Sequence, residues 1–361
     1  MLKSSSTIAL PTTQKRFFGL QWHVTNTCDQ CCQHCYIWGK NPIDVEVQRS
    51  QKELNLVQCT IIVDDFLRFC NDFKVQPAIV ITGGDPLLYK NIWGLLEYIH
   101  SKNLTFSILG NPFHLTDEIC IKLRSLGCRS YQMSLDGLEE THDFLRKPGS
   151  FQNTLESLPK LKRAGIKTAI MSTVSRMNYS EIPELVRMVS KYEVPRYSFG
   201  RYCPIGKETD ESLMMEPLEY KTFLSDMFDV YSELRNRKTH FTLKDHLWKL
   251  FLYERGLFSV QKGSIVMQGC ACGIKHLTLL PDGIIYACRR FESPVGNILN
   301  QSFRDIFLSE ELGKYRKVDM LEGCSDCELL NYCRGCHAVA HGLTGNFFSK
   351  DPQCWKDKTT I

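Results

Sequence analysis

Three cysteines within eight residues, Cys28, Cys32 and Cys35, spell CxxxCxxC on what reads as one short loop. Thiolates at this spacing can hold three irons of a cubane [4Fe–4S] cluster and leave the fourth iron without a protein ligand. An iron open to a second ligand is a place for chemistry. Cys31 lies within the same stretch and could compete for the irons. A zinc knuckle and a set of free thiols are the plainer alternatives, although three cysteines without a fourth ligand satisfy zinc poorly.

A second group of cysteines lies toward the C-terminus. Cys270 and Cys272 precede Gly283, Cys288 follows after four residues, and then come Cys324-x2-Cys327-x5-Cys333-x2-Cys336 and Cys354. Eight thiolates complete the ligation of two four-iron clusters, which suits electron transfer better than substrate coordination. The close pairs also resemble zinc-ribbon pairs, although the gap between them is short. His337 and His341 lie four apart among these cysteines and are not expected to bind metal. Two further stretches could serve a ligand: Gly83-Gly84-Asp85-Pro86, and Ser134-Leu135-Asp136-Gly137 followed by His142-Asp143 and Arg146. Each is equally a plain turn or capped strand end, since Gly, Asp and Pro are turn formers, and Arg146 could be a surface cation.

The elements that must position these residues alternate between strand and helix. Leu20, Trp22 and Val24 have strand periodicity and deliver the chain into the cysteine loop. Helical spacing from Ile61 to Phe73 is followed by a short buried strand, Ala78 to Ile81, that ends at the double glycine. Helices are expected over Asn91 to Lys102, Thr116 to Leu126, Ser150 to Ala164 and Ser180 to Lys191, with Thr116 and Ser150 as N-caps and Gly165 closing the third. Strands are expected over Leu104 to Leu109, Tyr131 to Leu135, Lys167 to Val174 and Arg196 to Tyr202. Six β/α units imply an α/β fold with a parallel sheet, a partial (β/α)6 barrel with its functional groups at the C-terminal ends of the strands. Residues 216 to about 257 read as mostly helical. The expected division is an N-terminal tail (1–16), the partial barrel (17–215), a helical bridging region (216–262) and a C-terminal cysteine-rich extension (263–361).

The chain has 361 residues, 43% apolar and 23% charged, which suits an ordinary globular protein with two or more cores. With 44 basic and 40 acidic side chains it carries a net +4, too little to argue for nucleic acid or a membrane surface as a partner. No signal peptide and no apolar run of about 20 residues is present. Seventeen cysteines then point to metal in a reducing cytoplasm, since disulfides belong to oxidising compartments. Cys59, Cys70, Cys120, Cys128 and Cys203 sit in regular segments and are expected to be small buried residues, as Cys31 could also be.

The CxxxCxxC loop, set after an apolar stretch and before Tyr36, resembles the signature of the radical S-adenosylmethionine (SAM) enzymes; the spacing of Cys28, Cys32 and Cys35 fits that family and that of Cys28, Cys31 and Cys35 does not. The resemblance implies that SAM chelates the open iron and is cleaved reductively to a 5′-deoxyadenosyl radical. Gly83-Gly84-Asp85-Pro86 resembles the family's GGEP motif, which implies binding of the SAM amino group, with Asp85 in place of the usual Glu. The stretch from Ser134 through Pro148-Gly149-Ser150-Phe151 to Ala164-Gly165-Ile166 resembles peptide-modifying members and implies that Ser134 and Arg146 lie near the SAM carboxylate or ribose. Where relatives often carry Thr-Asn-Gly this chain has Leu109-Gly110-Asn111. The C-terminal cysteines resemble the SPASM extension, which implies a first auxiliary [4Fe–4S] cluster on Cys270, Cys272, Cys288 and Cys336 and a second on Cys324, Cys327, Cys333 and Cys354; the last close pair is one residue tighter than the familiar pattern.

From this resemblance the expected function is oxidative modification of a peptide, as in maturation of a ribosomally synthesised peptide by a thioether or carbon–carbon crosslink. The partners implied are a peptide or protein substrate and a low-potential electron donor such as flavodoxin or ferredoxin. A formylglycine-generating sulfatase-type maturase is the alternative, weakened because Arg289-Arg290 follows Cys288 where such relatives often have Asp; the two arginines suit an acidic substrate or leader, or a solvated surface pair. A non-catalytic iron–sulfur electron carrier and a zinc-stabilised interaction module are the readings from other classes. With only the tail before the first strand, leader recognition is expected from the barrel, the extension or another protein. No catalytic base is identified.

Overall fold

The computed structural model describes residues 16–37, 52–204, 210–261, 266 and 268–356. Its elements in chain order are β1 (Phe17–Thr25), α1 (Leu56–Asp72), β2 (Gln76–Gly83), α2 (Ile92–Ser101), β3 (Phe106–Leu109), α3 (Asp117–Ser125), β4 (Cys128–Ser134), α4 (Glu139–Leu145), α5 (Ser150–Arg163), β5 (Lys167–Val174), α6 (Ile182–Lys191) and β6 (Arg196–Arg201). Then follow α7 (Pro217–Glu233), β7 (His240–Thr242), α8 (Trp248–Glu254), β8 (His276–Leu279), β9 (Ile284–Tyr286), β10 (Pro294–Asn297), α9 (Phe303–Leu308), α10 (Glu310–Gly313) and α11 (His337–Thr344). All six expected strands form, and β1 through β7 pair in sequence order, each parallel to the next.

The sheet runs on past the six strands at both ends. β7 adds to β6 from within the stretch read as helical, and β8 pairs parallel with β1 before the β9–β10 hairpin completes a ten-stranded order, β10-β9-β8-β1-β2-β3-β4-β5-β6-β7. The cysteine-rich extension is therefore welded to the barrel through backbone hydrogen bonds at the very strand that feeds the first cysteine loop. Period-2 alternation decides which side chains face the site. On β2, Ile79 and Ile81 are buried in the core while Val80 and Thr82 line the interior; on β4, Tyr131 and Met133 are buried while Gln132 and Ser134 line it. The outer faces pack on helices, as where Phe18 of β1 meets Phe69 of α1 at 4.8 Å and Phe307 of α9 at 5.4 Å between ring centres.

Two local readings differ. The helix after β4 is preceded by a short one, α4, and α5 is capped by Gly149, so that Ser150 is its first residue with its hydroxyl turned to other work. Thr116 does cap α3, accepting from the Ile119 amide, and Asn55 forms a capping box with Gln58 at the start of α1. Among the described residues no helix is long and apolar enough to cross a membrane.

Candidate functional site

The cysteine loop follows β1 directly, and two polar clamps hold it. The first is centred on Asp29. Its carboxylate accepts from the Asn111 side chain at 2.8 Å and meets His114 Nε2 at 3.1 Å, while its carbonyl accepts from Lys147 at 3.0 Å. Burial acts to raise Asp29, but the bonds from His114 and Asn111 prevail and hold it at about 2; the same bond to Asp29 raises His114. Asn111, whose role the sequence left open, thus ties the loop after β3 to the cysteine loop.

Asp136, at the end of β4 and without exposed surface, centres the second clamp. One oxygen accepts from Arg146 Nε at 2.6 Å and meets His34 at 3.1 Å; the other accepts from the Thr173 amide at 2.7 Å. Burial raises this carboxyl, yet the charges of Arg146 and His34 hold it far below the carboxylate range. Arg146 reaches on to the Cys32 sulfur at 3.5 Å. Beside it, Ser150 accepts from Gln30 at 2.5 Å and meets His142 Nε2 at 3.1 Å, and the other ring nitrogen of His142 accepts from the Asp136 amide. Arg146 and Ser134 both line the central cavity, but the described bonds of Arg146 go to Asp136 and the cysteine loop.

The Gly-Gly-Asp-Pro turn packs on the same loop. The Gly84 amide donates to the Thr25 carbonyl and the Asp85 amide to the Thr27 carbonyl, both at 2.8 Å. A Cβ on Gly83 would lie 2.1 Å from the Thr25 oxygen and one on Gly84 2.2 Å from the Thr27 oxygen, so no other residue fits. The glycines serve close approach to the cysteine loop as well as to the cavity that they line. Asp85 itself does not line that cavity. It is fully buried, and its two oxygens accept from the Leu87 and Asn111 amides at 2.8 Å, a cap that Pro86 continues. Burial pushes Asp85 up to about 6. Both Asp85 oxygens thus hold the turn itself, tying it to the loop after β3.

The C-terminal thiols fall into two neighbourhoods. Cys270, Cys272, Cys288 and Cys336 lie within one another's electrostatic reach. Cys324, Cys327, Cys333 and Cys354 line a second, smaller cavity. Burial pushes Cys28, Cys32, Cys270 and Cys324 up to about 12, so these four thiols stay protonated until metal displaces the protons. One cation touches a sulfur in each set: Arg146 at Cys32, Arg290 at Cys336 (3.5 Å) and Lys356 at Cys327 (3.3 Å). Thiols, neighbouring cations and burial are what four-iron clusters require, and these residues fit them. In a cubane each thiolate binds a different iron, whereas zinc draws its ligands onto one ion. Cys31 is exposed, with φ of 51°, and does not line the cavity.

Between the first cysteine loop and the first C-terminal set lies a half-open chamber of about 630 Å³, lined by Cys28, Cys32, Cys35, Cys270, Cys272, Cys288 and Cys336. Arg201 of β6 pairs with Asp245 at 2.8 Å and Asp351 at 2.7 Å, and Asp351 also accepts from the Cys336 amide, so one buried network joins the barrel to the extension. Cys59, Cys70, Cys120, Cys128 and Cys203 are buried as expected, and Cys203 also lines this chamber beside Cys288 and Cys336. His337 and His341 stack against Phe347 and Phe291. Arg289 and Arg290 line the chamber and are no solvated surface pair. Sequence reasoning did not single out Asp29, Gln30, His34, His114, Lys147 and Lys244; within the quoted motifs, Asp136 and His142 were the available signal.

Comparison with known proteins identifies the two parts of the chain. Residues 22–189 match the radical SAM superfamily and residues 270–337 the SPASM iron–sulfur cluster-binding domain. The chain is 25% identical to the AdoMet-dependent heme synthase of Methanosarcina barkeri, over 93% of this chain and 95% of the relative, and 26% identical to the mycofactocin maturase of Mycolicibacterium smegmatis, over 93% and 82%. In fold it resembles the crystal structure of Streptococcus suis SuiB bound to S-adenosylmethionine, with a TM-score of 0.73 and 18% identity over 94% of this chain and 77% of SuiB. The chain belongs to the radical SAM enzymes that carry a C-terminal SPASM domain, with [4Fe–4S] clusters and S-adenosylmethionine as cofactors.

Proposed function

We propose that this enzyme oxidatively modifies a residue of a ribosomally made peptide that enters the chamber between barrel and extension. The observation that carries the reading is the chamber itself: the first cysteine loop forms one wall, the Cys270, Cys272, Cys288 and Cys336 set another, and the space between them, about 630 Å³, is large enough for an amino-acid side chain. Cys28, Cys32 and Cys35 are assigned to the SAM-binding cluster, and the two C-terminal sets to the auxiliary clusters. When bound, cluster and SAM supply a 5′-deoxyadenosyl radical that removes a hydrogen atom, and the auxiliary clusters accept the electron that the oxidation leaves. The chain's own residues do the rest. The Asp29 and Asp136 clamps fix the cysteine loop, Gly83 and Gly84 with Ser134 shape the wall beside it, and the Arg201 network holds the opposite wall at a set distance.

A second reading, a step in the synthesis of heme from a porphyrin, is favoured by the near full-length matches to a heme synthase and to an Fe-coproporphyrin III synthase. The sulfatase-type alternative gains nothing, since the position after Cys288 presents a guanidinium. Holoenzyme reconstituted without oxygen, with SAM and dithionite, is given short peptides encoded beside the gene or iron coproporphyrin. A peptide lighter by two hydrogens, formed with 5′-deoxyadenosine, supports the proposal. Modification of the porphyrin alone moves the assignment to the second reading, and intact clusters that cleave no SAM refute both.

A further inference from the structure

The chamber has a cationic wall that the cysteine sets do not exhaust. Arg290 is committed, donating to the Cys336 sulfur and, at 2.6 Å, to the Arg201 carbonyl. Arg201 is neutralised by Asp245 and Asp351. Lys244 and Arg289 remain. Both line the cavity, and among the described residues neither has a carboxylate partner. The Lys244 ammonium meets the Met171 sulfur at 3.2 Å, and the Arg289 guanidinium lies 5.5 Å from the centre of the Tyr36 ring. Asp245, the one acidic side chain described on the chamber wall, already belongs to Arg201.

The Lys244 side chain is exposed and that of Arg289 half-buried, and both border the chamber. Two cations within electrostatic reach of one another, on the wall of one cavity, attract an anion between them. Neighbouring groups register the field: burial, then Arg289 and Lys244, push His276 down to about 4, and desolvation with Arg289 and Arg290 pushes Lys244 down to about 7. Lys244 comes from the turn after β7 and Arg289 from the residue after Cys288, so a group held by both lies between the two cysteine walls, facing Tyr36 of the first loop.

We propose that Lys244 and Arg289 form an anion subsite that holds a carboxylate of the substrate inside the chamber. A guanidinium offers a carboxylate two parallel hydrogen bonds and an ammonium adds a compact charge. The inference rests on the reading that the chamber receives the substrate, and it narrows that substrate to peptides with a Glu, an Asp or a free C-terminus at the modified site. A tetrapyrrole propionate presents the same chemistry, and the test separates the two sources.

Holoenzyme without reductant is titrated with two probe pairs: a dansylated Gly-Gly-Glu-Gly-Gly amide against its Gln counterpart, followed by anisotropy, and coproporphyrin III against its tetramethyl ester, followed by fluorescence. The acid member of at least one pair is expected to bind at least about tenfold more tightly, a difference of about 1.4 kcal/mol. Lys244→Met with Arg289→Gln removes that preference and Lys244→Arg retains it, with iron content and visible absorption showing that the clusters are intact. Should the double variant lose iron, Lys244→Met alone decides. A preference in the peptide pair supports both the subsite and the peptide reading, whereas a preference confined to the porphyrins supports the subsite and counts against peptides. Equal binding of acid and neutral forms, no binding of either acid at millimolar concentration, or a preference that survives substitution overturns the subsite, and the peptide reading is then judged by the mass spectrum alone.

Discussion

Asp136→Asn isolates the charge at the centre of the second clamp. The variant keeps the side-chain volume and an oxygen for the Thr173 amide, but leaves Arg146 without its carboxylate. Arg146 has only 12% of its side chain exposed and Asp136 none, so the pair lies in the regime where removing one partner is worth about 3–5 kcal/mol, because an uncompensated charge stays buried. Part of this is recovered when Cys32 is a metal-bound thiolate, 3.5 Å from the same guanidinium. The loss is therefore larger in protein stripped of iron than in holoenzyme. With a urea dependence of about 3 kcal/mol/M, the iron-free midpoint falls by about 1–1.7 M. The assay is anaerobic urea unfolding by tryptophan fluorescence, with and without iron, on wild type and variant. Asp136 is held below its ordinary range, so its contribution is complete above about pH 4 and lost only as pH falls further; the deficit at pH 6 and at pH 8 should be the same. An unchanged midpoint, or a deficit no smaller in holoenzyme, refutes the assignment of Arg146 as counter-ion to both Asp136 and Cys32.

The first clamp has the opposite pH sense. His114 is raised above its ordinary value by Asp29, so its contribution is complete below about pH 6.5 and is lost as pH rises through the raised value; iron should leave the first loop faster in mild alkali, and His114→Gln should flatten that profile when iron release to a chelator is timed. Lys356 donates to the Cys327 sulfur and pairs with Glu328, so Lys356→Met should shift the reduction potential of the second auxiliary cluster downward by tens of millivolts, read by redox-poised electron paramagnetic resonance, with the other two clusters unmoved. Replacing Cys28, Cys32 and Cys35 together by Ala should remove about four irons per chain and all 5′-deoxyadenosine formation, whereas Cys31→Ser should retain the iron, since Cys31 is exposed and does not line the chamber; loss of iron in Cys31→Ser contradicts the ligand assignment.

What was legible in this sequence was whatever is written locally. The six strands announced themselves by short apolar runs between helical periods, and the cysteine sets by spacing, because a cluster ligated from one loop needs its thiols close in sequence. The clamps obey no such rule. Asp29 meets Asn111 across 82 residues and Lys147 across 118, and Gln30 meets Ser150 across 120, pairings that exist only once parallel strands have brought their C-terminal ends together. Ser150 shows how a local rule misleads: a serine before a helix reads as its cap, but Gly149 caps here and the hydroxyl instead bridges His142 and the cysteine loop. Lys244 was hidden for a related reason. Its surroundings belong to a strand, β7, that three residues in a largely helical stretch could not declare, and its lack of a counter-charge is a property of its neighbours on β5 and after Cys288. A cation becomes informative only when every nearby carboxylate can be seen to be engaged elsewhere, and in this chamber the pairing of Asp245 with Arg201 is the contact that leaves Lys244 and Arg289 to bind something from outside.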